Sequence, residues 1–171
     1  MQDIAKITGP NMGSLAKIQI CLTELITSIP DPVHGVISLP VVFAAGKKWY
    51  DIYSTFETLS FSQKSVTTNQ GKHYELTVEG FIPGHCSYLE YYFSELEQKK
   101  IVIKALDTNG HTFLVCNLKF GEIRGATLKV DYDSTSKISG LKGSKLTFSM
   151  LSSDRAYFYT ATDTVTSGSG S

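Results

Sequence analysis

The chain has 171 residues, and 16 Lys and Arg balance 16 Asp and Glu, so its formal net charge is zero. A chain of this length can form one domain and bury a core without a metal ion or a disulfide. A protein that binds nucleic acid mainly by neutralising phosphates would carry a basic excess, which is missing here. The hydrophobic content of 42% argues against wholesale disorder, and the abundance of Ser and Thr favours a β-rich chain.

The first half of the chain is predicted to be a polar arm followed by extended segments. Residues 1–14 show little hydrophobic periodicity, so we expect a flexible N-terminal arm before a single β-rich domain over residues 15–165. Apolar and polar residues alternate along residues 15–26, which is the pattern of a half-buried strand. The same extended character recurs in residues 36–45, 48–53, 59–66 and 73–81.

One amphipathic helix is predicted in mid-chain, directly after the Pro83-Gly84 break. Ser87 stands three residues before Glu90, which predicts a capping box at the start of this helix. Apolar residues then recur at the spacing of one helix face. They are Leu89, Tyr92, Phe93 and Leu96.

The second half returns to strands. Residues 101–106 and 112–118 are apolar and flank Asn109-Gly110, a strong hairpin signal because both residues tolerate positive φ. Further alternating segments surround Leu128, Leu146 and Tyr157, and residues 166–171 are expected to be a flexible Ser/Gly tail. The predicted fold class is mainly β: an antiparallel β-sandwich or barrel with one amphipathic α-helix.

The cellular compartment is predicted from the N-terminus and the cysteines. The N-terminal sequence lacks the apolar run of a signal peptide, and no stretch approaches the roughly 20 apolar residues that span a bilayer. Cys21, Cys86 and Cys116 leave one cysteine unpaired whichever two are joined. We expect three reduced thiols packed as small apolar residues, in a chain made in a reducing cytoplasm.

Two His–Cys combinations are candidate chemical sites: His85 with Cys86, and His111 with Cys116. Zinc sites in small domains use closely spaced ligand pairs, whereas these pairs are adjacent in one case and five residues apart in the other. Cys86 precedes the predicted helix, a position at which thiol nucleophiles are often activated, with His85 or His111 as a possible base. No orienting third group accompanies them, so a structural role is favoured for all four.

Other motifs also have simpler interpretations. Glu75 and Glu79 share a strand face, as do Asp131 and Asp133, but alternating polar faces produce such carboxylate pairs without the chemistry of a glycosidase. Gly140-Leu-Lys-Gly143 matches a GxxG clamp, yet its neighbours are predicted strands, so we interpret residues 138–145 as a loop. The sequence therefore assigns no catalytic, cofactor-binding or metal-ligating residue, and we expect no enzymatic activity and no cofactor.

The order of these elements resembles the tail-tube fold of tailed bacteriophages and related injection machines. The resemblance spans about residues 15–160, and several segments look like small virion proteins of phages that infect gut bacteria. These segments are KIQICLTELITSIPDP, GKKWYDIYSTFETLSFSQK, GKHYELTVEGFIPG and LDTNGHTFLVCN.

The resemblance implies a structural subunit of the virion, made in the host cytoplasm. Such a subunit forms rings of the tail tube, or of a head–tail or tail-end connector, around the DNA channel. Its partners would be copies of itself, adjacent tail or connector proteins and passing DNA that is not specifically bound, with no membrane involved.

Ring assembly predicts particular surfaces. Contacts between ring neighbours are heterologous, and edge strands can continue a sheet between subunits. The Ser/Thr-rich residues 56–68 suit such an edge, while residues 1–14 and the loop 134–144 are expected to become ordered on assembly.

The alternative is a monomeric β-sandwich module that binds a carbohydrate or a protein ligand through stacked aromatic rings. Tyr92 is assigned to the buried stripe of the helix. Strand alternation places Trp49 and Tyr53 on one face and Tyr50 on the other. The scatter argues against a single platform. The aromatic candidates are Trp49, Tyr50, Tyr53, Tyr91 and Tyr92.

Overall fold

A computed structural model of the chain describes residues 13–55, 57–69, 71–84, 86–134 and 142–163. The described residues form twelve strands and one α-helix, which confirms the mainly β fold class with a single helix. In chain order these elements are β1 (Leu15–Leu22), β2 (Ile26–Ser28), β3 (Val36–Ile37), β4 (Val42–Phe43), β5 (Tyr50–Ile52), β6 (Ser60–Thr68), β7 (Gly71–Pro83), α1 (Ser87–Glu97), β8 (Ile101–Asp107), β9 (Thr112–Val115), β10 (Thr127–Asp133), β11 (Gly143–Ser152) and β12 (Tyr157–Tyr159), with short 3-10 turns at Thr23–Leu25 and Lys119–Gly121.

The strands are arranged as a β-sandwich. One sheet has six strands in the order β3-β12-β9-β8-β1-β5, and the other has four in the order β10-β11-β7-β6. All of these neighbours pair antiparallel except β12 and β3, which are parallel. Strands β2 and β4 form a separate two-stranded ribbon.

A first core cluster lies between the two facing sheets. Ile18 and Ile20 of β1 meet Val78 of β7 and Phe148 of β11 in this cluster, and Phe93 of α1 joins them. Along β7, alternate residues such as Leu76 and Val78 enter the core while the residues between them are more exposed. This arrangement explains the two-residue period of the sequence, because successive side chains of a strand point to opposite faces.

The six-stranded sheet is also covered on its other face. Val102 of β8 belongs to a second core cluster, whereas its neighbour Ile103 belongs to the first. Ile37, Val41 and Trp49, from the segment around the β2–β4 ribbon, cover this second face. A strand buried on both faces carries a continuous apolar run, which is the pattern of β8.

Several predicted strands have different bounds in the structure. A 3-10 turn at Thr23–Leu25 divides the predicted strand 15–26 into β1 and β2. The segment 36–45 forms two short strands, β3 and β4, on either side of Pro40. Pro40 has no N–H to donate to a strand ladder, and this accounts for the division. In contrast, the segment 73–81 lies within a longer strand, β7.

The helix is confirmed, but its predicted capping box is wrong. Cys86 is the N-cap residue, its side chain makes no capping hydrogen bond, and Ser87 is already helical. The serine is thus one residue too late to cap. The apolar face is also narrower than predicted, because Phe93 and Leu96 are buried whereas Tyr92 stays partly exposed.

The predicted hairpin is confirmed as β8 and β9, with a longer turn than Asn109-Gly110 alone. The Gly110 N–H donates to the Asp107 carbonyl at 3.2 Å, and the Asp107 N–H donates to the His111 carbonyl at 2.8 Å. Gly110 has positive φ, at 88°, whereas Asn109 does not adopt the positive φ that it tolerates. The Asp107 side chain accepts from the backbone N–H groups of Asn109 and His111, which stabilises the wider turn.

Several segments expected to be mobile fall partly outside the described residues, which exclude residues 1–12, 135–141 and 164–171. Ser14, assigned to the arm, donates from Oγ to the Leu59 carbonyl at 2.9 Å. The predicted loops 134–144 and 138–145 are shorter than expected at their C-terminal ends, because β11 already begins at Gly143. A Cβ on Gly143 would lie 2.3 Å from the Ile82 carbonyl oxygen, so only glycine fits there.

Candidate assembly surfaces

The sandwich has two different sides, here named the open side, which carries β6, and the helix side, which carries α1. On the open side, Phe61 of β6 contacts Phe113 of β9 with ring centroids 5.3 Å apart, and Phe113 contacts Phe158 of β12. This side therefore carries the edge strands β6 and β3. On the helix side, α1 packs beside β10, and Tyr50 of β5 lines a cavity together with Tyr92 of α1.

Strand β6 is a long and regular edge. Its nine residues pair with β7 without a register shift, from Ser60 opposite Glu79 to Thr68 opposite Gly71. Among the described residues no strand pairs with its other edge. Natural proteins usually protect such edges with proline, a bulge or several charges, and β6 has no proline, no bulge and only Lys64 as a charge.

The free backbone groups of β6 follow from the hydrogen bonds of β7. The Phe81 N–H donates to Ser54 Oγ, and the Phe81 carbonyl accepts from the Thr55 N–H, both at 2.8 Å. The backbone N–H and C=O groups of odd-numbered β7 residues therefore point toward β6. There they bond to the even-numbered residues that lie opposite them. The remaining N–H and C=O groups of β6 point to the free edge. They belong to Phe61, Gln63, Ser65 and Thr67.

Strand β10, at the other edge of the same sheet, is covered. The Val130 N–H, which points away from β11, donates to Glu97 Oε1 of α1 at 2.8 Å. Just before β10, Ala126 exchanges two backbone hydrogen bonds with Ile101. One edge of the four-stranded sheet thus contacts the helix, while no described strand pairs with the opposite edge.

The outer face of α1 presents aromatic and acidic side chains. Tyr88 and Tyr91 are 72% and 65% exposed. The Tyr88 ring stacks on Tyr92 with centroids 6.3 Å apart, and the Tyr91 hydroxyl donates to Glu95 at 2.8 Å. The helix carries Glu90, Glu95 and Glu97 but no basic residue.

A cavity of about 430 Å³ lies between α1, β1 and β5 and is here named the tyrosine groove. Leu22, Leu25 and Leu96 give it an apolar lining, and Tyr50 and Tyr92 border it with 38% and 37% of their surface exposed. The helical spacing of Tyr92 predicts that it is buried in the apolar stripe of α1, apart from Tyr50. That assignment is wrong: the narrow contact face of α1 leaves Tyr92 free to line the groove.

The other candidate aromatic residues lie elsewhere. Trp49 is buried in the second core, where its ring meets Phe43 edge-on at 5.3 Å. Tyr53 is exposed beyond the end of β5, and Tyr91 lies on the outer face of α1. Of the five aromatic candidates, Tyr50 and Tyr92 line one cavity together.

A charged group that the sequence did not single out lies in the second core. The Lys104 ammonium is 5.5 Å from the ring centroids of both Trp49 and Tyr159, and it forms an ion pair with Asp163. The Tyr159 hydroxyl donates to Asp163 and accepts from the Val41 N–H, and burial raises the Tyr159 pKa. Because every polar group except the indole N–H of Trp49 is paired, this cluster is a structural element of the core.

The basic residues of the open side gather around Tyr74, which lies opposite Ser65 of β6. Arg155 and Lys72 lie over the Tyr74 ring, 5.3 Å and 5.6 Å from its centroid. A hydrogen bond from Arg155, with a smaller effect of Lys72, lowers the Tyr74 pKa. Arg155 and Lys72 thus form a local basic cluster beside β6, whereas the outer face of α1 carries Glu95.

The cysteine and histidine candidates occupy separate environments. Cys116 is fully buried, and its burial raises the thiol pKa to about 12. Cys86 is exposed, so the expectation that all three cysteines are packed is wrong. His111 is exposed beside the hairpin turn, as predicted, and His85 lies outside the described residues. Within the described ranges no group of three or more His, Cys, Asp or Glu is placed to hold a metal ion.

One member of each predicted carboxylate pair forms an ion pair with a neighbouring lysine. Glu79 contacts Lys145 at 2.8 Å and Asp131 contacts Lys129 at 2.7 Å. These are exposed strand-face pairs, which contribute little to stability.

A second and wider cavity of about 690 Å³ lies at the end of the sandwich. Lys100 and Arg124 line it, and both side chains are already engaged, with Thr127 and Glu122 respectively.

The sequence matches no protein-family profile, no curated protein and no solved structure. In the described part of the chain, no helix has the length and apolar content needed to cross a membrane.

Proposed function

We propose that this protein is a structural subunit of a tailed-phage virion. Copies of it assemble into rings of the tail tube, or of a head–tail or tail-end connector, around the DNA channel. The observation that carries the proposal is the outer edge of β6, with which no strand pairs within the described ranges and to which the backbone groups of Phe61, Gln63, Ser65 and Thr67 point. An edge of this length, with only one charge, promotes association unless another surface covers it.

Two further features support self-assembly. The open side and the helix side differ, so a contact between them joins unlike surfaces, and repeated heterologous contacts produce a ring when the rotation closes. The net charge of zero avoids repulsion between stacked copies.

The test is the oligomeric state of the purified chain over a range of concentrations, measured by light scattering after gel filtration and by negative-stain imaging. We expect rings or short tubes. Ser65→Pro removes an N–H that points to the free edge while leaving the β7 pairing groups intact, so we expect it to reduce the assembly to single subunits.

Ser65→Ala is the matched control for this variant, because it removes the same hydroxyl but keeps the N–H; it should assemble like the wild type. Circular dichroism must show an unchanged β spectrum for both variants. A wild-type chain that stays monomeric at high concentration would refute the proposal.

The second candidate is a monomeric binding module, which the tyrosine groove favours. Tyr50 and Tyr92 offer ring faces, and Glu95 and Gln98 offer polar groups beside them, a combination that suits a sugar or a protein side chain. The test is a glycan and peptide binding screen with the wild type and Tyr92→Ala. Binding by a monomer that Tyr92→Ala abolishes would favour this function over assembly.

A further inference from the structure

We infer that the outer face of α1 in one copy covers the free β6 edge of the next copy. This inference rests on the proposed function, because it names the two surfaces through which the subunits would meet. The partner is a second copy of this chain, bound through unlike surfaces.

The first argument is that α1 already covers a strand edge within its own chain. Phe93 and Leu96 anchor the helix in the core, and Glu97 accepts the outward N–H of Val130. The opposite face of the same helix is exposed and carries the same kinds of group. Tyr88 and Tyr91 supply aromatic area and hydroxyl groups, and Glu95 supplies a carboxylate.

The second argument is that the hydrogen-bonding groups of the two surfaces match. The β6 edge presents backbone N–H donors from residues such as Gln63 and Ser65. Tyrosine hydroxyls and a glutamate are acceptors for such donors, as the bond between Glu97 and Val130 illustrates. A helix of 11 residues is about 16 Å long, whereas nine strand residues span about 30 Å, so α1 would cover about half of β6.

The third argument is charge complementarity. Glu95 lies beside Tyr91 on the outer face, and α1 contains no basic residue. On the open side, Lys72 and Arg155 flank Tyr74 close to β6, and Lys64 lies in β6 itself. Complementary potentials guide encounter and fix which surfaces meet, so they favour a contact between the helix side and the open side.

A contact between two β6 strands is the competing arrangement. It would join identical surfaces, close as a dimer and leave the outer face of α1 exposed. It would also constrain the register, because pairing centred on Lys64 places two like charges opposite each other. The two arrangements therefore predict different oligomers and different effects of changes in α1.

The experiment uses one variant for each surface. The helix-face variant combines Tyr88→Ala, Tyr91→Ala and Glu95→Lys, and alanine keeps the helix stable. The edge variant is Ser65→Pro. We expect each variant alone to remain a single subunit. An equimolar mixture should form a dimer and nothing larger, because only one intact helix face and one intact β6 edge remain to pair. Light scattering after gel filtration should then give the mass of one subunit for each variant alone and of two subunits for the mixture.

Two controls accompany this mixing experiment. Leu151→Asp changes an exposed apolar side chain on the outer sheet face and should leave the wild-type mass unchanged. Glu95→Lys alone should weaken assembly, because it places a positive charge against the basic cluster. Adding Lys72→Glu to that variant should restore assembly. Circular dichroism confirms that each variant is folded.

The outcomes separate this inference from the proposed function. A monomeric wild type overturns both. Rings that persist in the helix-face variant overturn the inference and leave the proposed function standing. A wild type that stops at a dimer indicates β6 pairing with β6 and overturns the inference, as would a mixture of variants that forms larger assemblies.

Discussion

Lys104 is a largely buried charged residue whose ammonium group is stabilised by an ion pair and by two aromatic rings. It lies in β8 between fully buried apolar residues, with its ammonium group between two aromatic rings and against Asp163. Both charged side chains are less than one-fifth exposed. Breaking a largely buried pair leaves one charge uncompensated, which costs more than the pair itself contributes.

We therefore predict that Lys104→Met lowers the free energy of unfolding by about 2 kcal/mol, less than for a fully enclosed pair because some exposure remains. The double variant Lys104→Met, Asp163→Asn should recover at least half of that loss, since no charge is left unpaired. Urea unfolding of the wild type, both single variants and the double variant measures this coupling. Strictly additive effects would show that the two side chains are independent.

Single residues also explain two errors of sequence interpretation. The capping box failed because the Ser87-to-Glu90 spacing is correct but the helix begins at Ser87 itself. Tyr92 has the right spacing for the buried stripe, but α1 contacts the core only through a narrow face. Spacing defines which residues share a face, while the position of the neighbouring element decides how much of that face is buried.

At the scale of elements, the sequence located strands well where the pattern was local. The alternating residues of β7 and β11 and the two halves of the β8–β9 hairpin needed only their own side-chain period. The type of turn in that hairpin was less predictable. The Asp107 side chain, which lies outside Asn109-Gly110, binds two backbone N–H groups and selects the wider turn.

Gly110 should be the residue of this turn that is most sensitive to substitution. Its φ of 88° is strained for any residue with a Cβ. We predict that Gly110→Ala costs about 1 kcal/mol of unfolding free energy and that Gly110→Val costs more, because β-branching adds to the strain.

Gly110→Asn is the matched control, because asparagine tolerates this conformation better than other residues, and it should cost least. Thermal and urea unfolding give the order of the three variants. Equal losses would indicate that the turn relaxes to another conformation.

At the scale of the whole molecule, the two cores bury several weak acids. Burial raises the pKa of Cys21 to about 11 and those of Cys116 and Tyr157 to about 12. In the unfolded chain these groups ionise near their ordinary values, so above about pH 9 the folded state holds more protons than the unfolded state. The free energy of unfolding must then fall as the pH rises, whereas below that pH these groups leave it unchanged.

The Cys116→Ala variant tests this dependence. We predict that between pH 9 and 10.5 it loses less stability than the wild type, with a slope smaller by up to about 1.4 kcal/mol per pH unit. Urea unfolding in the presence of a reductant measures the slopes. Cys86→Ala, which replaces an exposed thiol, should follow the wild type. A wild-type stability that is flat up to pH 10.5 would contradict the burial of these groups.

The sequence by itself determined the fold class, the place of the helix and most strands, because hydrophobic periodicity and turn residues act over a few positions. Tertiary structure alone decided which sheet edge the helix covers, since Glu97 and Val130 are 33 residues apart in the chain. It also decided that Tyr50 and Tyr92 share a groove and that Lys104 meets Asp163. Such pairings depend on how distant elements pack, and the surfaces proposed for assembly arise from them rather than from any local motif.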